Sequence, residues 1–180
     1  MLNLDQLASG KLRYDYTRSE IEAIYDLPIT RLIFLAQSVH QKYFEPDEIQ
    51  MSTLLSIKTG GCKENCAYCP QSAHYQTGVD AQGLLSVETI VEAAKAAKAN
   101  GSSRFCMGAA WRSPPKNSKA FRQVLEAVTA VRELGLEVCT TLGMVDDEQA
   151  QDLADAGVYA YNHNLDTSAE YYADIITTRT

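Results

Sequence analysis

The sequence predicts an α/β fold built on a parallel sheet, and three observations carry that prediction. Short apolar runs suited to strands alternate with segments of helical period at intervals of about 25 to 50 residues, a rhythm that calls for right-handed crossovers. A length of 180 residues with 46% hydrophobic and 22% charged residues suits one packed core. The sulfur-bearing and polar residues fall in or just after the strands, where chemistry gathers in doubly wound sheets and in (β/α) barrels alike. Periodicity alone leaves those two architectures open.

Residues 1–50 read as an N-terminal helical extension. Thr17-Arg18-Ser19-Glu20 has the form of a capping box, and Ile21 and Ile24 follow before Pro28 closes a short helix. A second helix is expected from Ile29 to Phe44, ending before Pro46, with Leu32, Phe34, Leu35 and Val39 as its apolar positions.

From residue 51 the rhythm changes. Leu54 to Ile57 reads as a strand, followed by Gly60-Gly61 and a cysteine-rich loop. Ser86 caps a helix carrying Val87, Ile90, Val91, Ala94 and Ala97, which Asn100-Gly101 stops. Arg104 to Gly108 is the next strand. Ser118 opens a helix with Phe121, Val124, Leu125, Val128, Val131 and Leu134 on one stripe, ended by Gly135. Glu137 to Thr141 is a third strand, a helix opened by Asp146 or Asp147 runs to Gly157, and Val158 to Asn162 is a fourth strand. A last helix is expected near Ser168 to Ile175.

Charge excludes one class of function. With 16 Lys and Arg against 23 Asp and Glu, the net charge is −7, against a nucleic-acid binder that relies on phosphate contacts. The N-terminus lacks a basic start and a continuous apolar stretch, so a cytoplasmic address with reduced thiols is expected. Five cysteines, an odd number, do not suggest a disulfide framework.

Three of them lie in Gly61-Cys62-Lys63-Glu64-Asn65-Cys66-Ala67-Tyr68-Cys69-Pro70, a CxxxCxxC pattern. Thiolates this close can converge on zinc or an iron–sulfur cluster. Structural zinc would need a fourth ligand, His74 or Cys106, and the paired knuckle usual in such sites is missing. Three thiolates on a four-iron cluster would leave one iron open, which is what a catalytic centre needs. Cys106 and Cys139, in the second and third strands, would each alone read as small core residues. On neighbouring strands they can point to a common interior centre.

A CxxxCxxC triplet with an aromatic residue before its last cysteine, after a first strand, resembles the signature of the radical S-adenosylmethionine enzymes. In that family the amino and carboxylate groups of S-adenosylmethionine chelate the open iron, and an electron from the cluster cleaves the sulfonium to give methionine and a 5′-deoxyadenosyl radical. The resemblance implies a parallel (β/α) barrel of TIM type, here about four βα units spanning residues 51–180.

Further segments sharpen the resemblance: Tyr68-Cys69-Pro70-Gln71-Ser72, Arg104 to Arg112, Glu137 to Gly143, and Tyr161-Asn162-His163-Asn164-Leu165-Asp166-Thr167. These are similar to the branch of the family that inserts sulfur into dethiobiotin to make biotin. The resemblance implies that Cys62, Cys66 and Cys69 hold a 4Fe–4S cluster. Tyr68 would lie against the adenine and Gly108, Ala109 and Ala110 near the methionyl end, with Asp166 on the ribose hydroxyls and Asn164 between cofactor and dethiobiotin. Cys106 and Cys139 would be ligands of a second, 2Fe–2S cluster that supplies sulfur. A reduced flavodoxin-type donor and a homodimer are implied as well. The branch's chain runs on past the position of Thr180, supplying a third cysteine and an arginine to the second cluster. The 180 residues are therefore expected to form an amino-terminal half and to make no biotin by themselves. The competing readings are a non-catalytic iron–sulfur or zinc fragment, or a different radical S-adenosylmethionine enzyme. Among the histidines, His74 is expected to bond within its loop, and His163 to point away from the face shared by Asn162 and Asn164.

Overall fold

A computed structural model describes residues 3–180. The chain divides into two compact units, Met1–Ile49 and Gln50–Thr180. Among the described residues, no helix is long and apolar enough to cross a membrane.

The first unit is helical: α1 Leu4–Ala8, α2 Arg18–Tyr25 and α3 Ile29–Tyr43. The capping box is formed, with the Glu20 amide donating to the Thr17 hydroxyl at 3.3 Å and the Thr17 amide donating to Glu20 Oε2 at 2.9 Å. Arg13 forks onto the same carboxylate at 2.7 and 3.0 Å. The Arg13 hydrogen bond, with the Thr17 contacts, holds the Glu20 carboxyl down at about 2. A short helix ahead of the two expected ones, α1, is tied to α3 by Lys42 Nζ donating to the Ala8 carbonyl at 2.6 Å.

The second unit is a four-stranded parallel sheet: β1 Ser52–Lys58, β2 Arg104–Ala109, β3 Glu137–Thr141 and β4 Val158–Tyr161. Helices α4 Val87–Ala99, α5 Lys119–Glu133 and α6 Asp147–Ala156 join them. Ser86, Ser118 and Asp146 each accept a backbone N–H as the N-cap, as the sequence predicted. Gly157 ends α6 at φ 106°, a left-handed conformation suited to glycine.

Strand order settles the architecture. The order is β1-β2-β3-β4, each strand beside its successor, where a doubly wound sheet reverses direction near its middle. All three helices pack on one face. Ile90, Ala94, Val124, Val128, Val131 and Leu153 bury there against Ile57, Phe105, Met107 and Val138. This is the winding of a (β/α) barrel wall, with helices outside and one sheet face left uncovered. Strand alternation puts Leu54, Cys106 and Cys139 on that open face; Leu54 is 70% exposed.

Two expected elements differ. β4 ends at Tyr161, one residue early. The expected last helix is instead a single 3₁₀ turn, Ala169–Tyr171, and a four-residue helix, α7 Tyr172–Ile175. Backbone groups that would have extended it are used elsewhere: the Ile175 carbonyl accepts the Ala67 amide at 3.0 Å, and Ile176 is buried.

Candidate active site

A pocket of about 280 Å³ opens at the carboxyl end of the sheet. Ser56 and Lys58 line it from β1, Gly108 and Ala109 from β2, and Thr141 from β3, while Asn164 and Asp166 come from the loop after β4. Cys62, Cys66, Cys69 and Tyr68 line it from the cysteine loop. Residues placed there by separate sequence motifs therefore share one cavity.

The cysteine loop is held by its own backbone. The Cys62 amide donates to the Gln71 carbonyl at 2.9 Å, and the Ala73 amide returns a bond to the Cys62 carbonyl at 2.8 Å. The Cys69 amide donates to the Cys66 carbonyl at 3.0 Å, closing a turn that brings the last two cysteines together. All three thiols are free; Cys66 is buried and the other two are half-buried. Burial pushes the Cys66 thiol above its ordinary value. A metal that binds thiolate would reverse that effect. His74 bonds within the loop, its Nε2 lying 3.0 Å from the Lys63 carbonyl.

Among the described residues no three His, Cys, Asp or Glu side chains converge closely enough to hold one metal ion. Cys62, Cys66 and Cys69 nevertheless line one pocket, and three thiols there are the donor set that an iron–sulfur cluster would take.

Asp166 stands on the opposite wall at φ +68°, with its side chain 2% exposed. Its Oδ1 accepts the Tyr68 hydroxyl, and its Oδ2 accepts Arg179 Nη2 at 2.5 Å. Burial, with that bond to Asp166, raises the Tyr68 phenol well above its ordinary value, so it stays a donor. Lys58 Nζ donates to the Gly60 and Ala110 carbonyls at 2.6 and 3.1 Å, fastening the loop's entry to the end of β2.

Cys106 and Cys139 lie deeper on the same open face. They are register partners, each two residues before a pocket-lining position, Gly108 and Thr141. At about 3.3 Å per residue the pair sits roughly 7 Å below the pocket floor. Burial and the hydrogen bond with Cys139 push the Cys106 thiol up to about 11.

One sequence expectation is corrected here. His163 lines the pocket beside Asn164 rather than pointing away, because β4 has ended at Tyr161 and strand alternation no longer applies. Asn162 instead donates to Asn164 Oδ1 at 3.4 Å.

Several site residues carried no motif. Glu64, 2% exposed, lies 3.3 Å from Arg112 Nε and 3.8 Å from Arg179 Nη1, and accepts the Thr178 hydroxyl. Asn65 binds Thr177 and Thr178. The only signal in the sequence was a charged and an amide residue between two ligand-type cysteines, which also suits an exposed loop.

Comparison with known proteins fixes the class. The Radical SAM superfamily profile matches residues 56–180. The chain belongs to this superfamily, and membership implies a four-iron cluster and S-adenosylmethionine as cofactors. It is 59% identical over 169 residues to a biotin synthase of Cellvibrio japonicus, covering 94% of this chain and 47% of that protein. It is 52% identical over 180 residues to a biotin synthase of Methylococcus capsulatus, covering 100% of this chain and 55% of the relative. A biotin synthase of Schizosaccharomyces pombe is 54% identical over 173 residues, 96% and 48% of the two chains. The chain spans about half the length of the curated relatives it matches. The crystal structure of methylornithine synthase (PylB) superposes with a TM-score of 0.75 at 20% identity, covering 98% of this chain and 51% of that one. That likeness supports the barrel-type fold.

Proposed function

We propose that this chain carries the cofactor-binding part of a biotin synthase, a radical S-adenosylmethionine sulfurtransferase that converts dethiobiotin to biotin. The observation that carries the reading is the pocket in which the CxxxCxxC cysteines meet Tyr68, Gly108 to Ala110, Asn164 and Asp166. Residues 51–180 form the catalytic portion and residues 1–50 a helical extension to it.

Cys62, Cys66 and Cys69 hold the 4Fe–4S cluster, which when bound supplies the electron that cleaves the sulfonium. Tyr68 lies against the adenine while its hydroxyl holds Asp166, and Asp166 accepts the ribose hydroxyls. Gly108 gives the methionyl end close access to backbone, because it has no side chain at that strand end. Asn164 orients dethiobiotin toward the cofactor. Cys106 and Cys139 provide two ligands of a 2Fe–2S cluster. The remaining partners are a reduced flavodoxin-type donor and a second copy of the protein, in the cytoplasm.

Anaerobic reconstitution with iron and sulfide, followed by metal analysis, tests the reading. About four irons and matching sulfide per chain held by the loop are expected, lost when Cys66 is changed to Ala. One zinc without sulfide would overturn it in favour of a structural site.

A further inference from the structure

Asn65 lies between Cys62 and Cys66 yet does not line the pocket. Its side chain is the hub of a set of bonds that reach across the fold. Asn65 Oδ1 accepts the amides of Thr177 and Thr178 at 2.9 and 3.2 Å, and Nδ2 donates to the Thr177 hydroxyl at 2.6 Å. The Asn65 amide donates to Thr178 Oγ1 at 3.1 Å. The next residue is Arg179, whose side chain is 10% exposed and whose guanidinium grips Asp166.

Asp166 needs that grip. It sits in a left-handed conformation in the loop beyond β4, where Leu165 is 88% exposed. An ionised carboxylate has about four acceptor positions, and Tyr68 and Arg179 take two of them, which leaves lone pairs for a diol. Strand pairing does not fix this loop, so the direction of those lone pairs depends on where Arg179 stands. Asn65 sets that through the two amides just before it.

We propose that Asn65 is a positioning residue for the nucleoside end of the cofactor site, acting through Thr177, Thr178 and Arg179 on Asp166. It thereby links the cysteine loop to ribose recognition. This rests on the reading that the pocket takes S-adenosylmethionine.

The test compares S-adenosylmethionine with its 2′-deoxy analogue, by equilibrium dialysis against the reconstituted full chain. Loss of one charge-assisted hydrogen bond should give the unaltered chain a preference of about tenfold for the ribose form. Asn65→Ala should keep its iron and lose that preference. Asn65→Asp, which still offers oxygens to both amides, should retain it. A preference retained by Asn65→Ala overturns the inference alone. So does loss of iron from Asn65→Ala, because its role would then lie in the loop itself. If the unaltered, iron-loaded chain binds neither compound, the cofactor reading fails and this inference with it.

Discussion

Cys106 of β2 and Cys139 of β3 are register partners on the uncovered face of the sheet, with the Arg104–Glu137 pair two residues before them. Partners in adjacent strands stand about 5 Å apart across the sheet, so one reagent atom can bridge the two sulfurs. In a cluster-free chain with Cys62, Cys66 and Cys69 changed to Ser, one equivalent of phenylarsine oxide should bind. Adding Cys139→Ser should abolish binding, as read by mass spectrometry of the intact chain. Equal uptake with and without Cys139 would mean the pair does not face a common centre.

Gly143 is held at φ +90°, and a Cβ there would run into the backbone carbonyls of Arg112 and Trp111. Both obstacles are backbone, so neither can swing aside. Gly143→Ala should therefore destabilise the chain by about 1–3 kcal/mol through strain at this conformation. It should also weaken cofactor binding, because Trp111 and Gly143 both line the pocket. Chemical denaturation and dialysis with S-adenosylmethionine measure the two effects; unchanged stability would contradict the close approach.

Glu20 ties Arg13 to the start of α2, and its carboxyl is held at about 2 against an ordinary 4.5. A lowered folded-state value means the contribution is full above 4.5 and is lost as pH falls through about 2. Melting temperatures of the chain and of Glu20→Gln should differ above pH 5 and converge toward pH 2. A constant difference across that range would show that the ion pair does not govern the effect.

Elements with local signals were legible in the sequence. Thr17, Ser86, Ser118 and Asp146 cap their helices because each places an oxygen within reach of amides two or three residues on. The stripe through Phe121, Val124, Val128 and Val131 marked the buried side of α5. The cysteine loop could be recognised from spacing, and its motif partners from resemblance. Long-range polar ties were not legible. Arg179 meets Asp166, and Glu64 meets Arg112, across many residues whose identities impose no period. The same is true at the other end of the open face, where Arg104 donates to Glu137 Oε2 at 2.9 Å and Gln50 joins the same oxygen. His163 was misplaced for a related reason, since alternation holds only while the strand lasts and β4 stops at Tyr161.

The claim that this pocket presents a loop-bound cluster to S-adenosylmethionine is tested most directly by reductive cleavage. The anaerobically reconstituted chain is supplied with S-adenosylmethionine and dithionite, and 5′-deoxyadenosine is measured by chromatography. The account predicts 5′-deoxyadenosine from the unaltered chain and none above background from Cys62→Ala. Undiminished product from Cys62→Ala would contradict it.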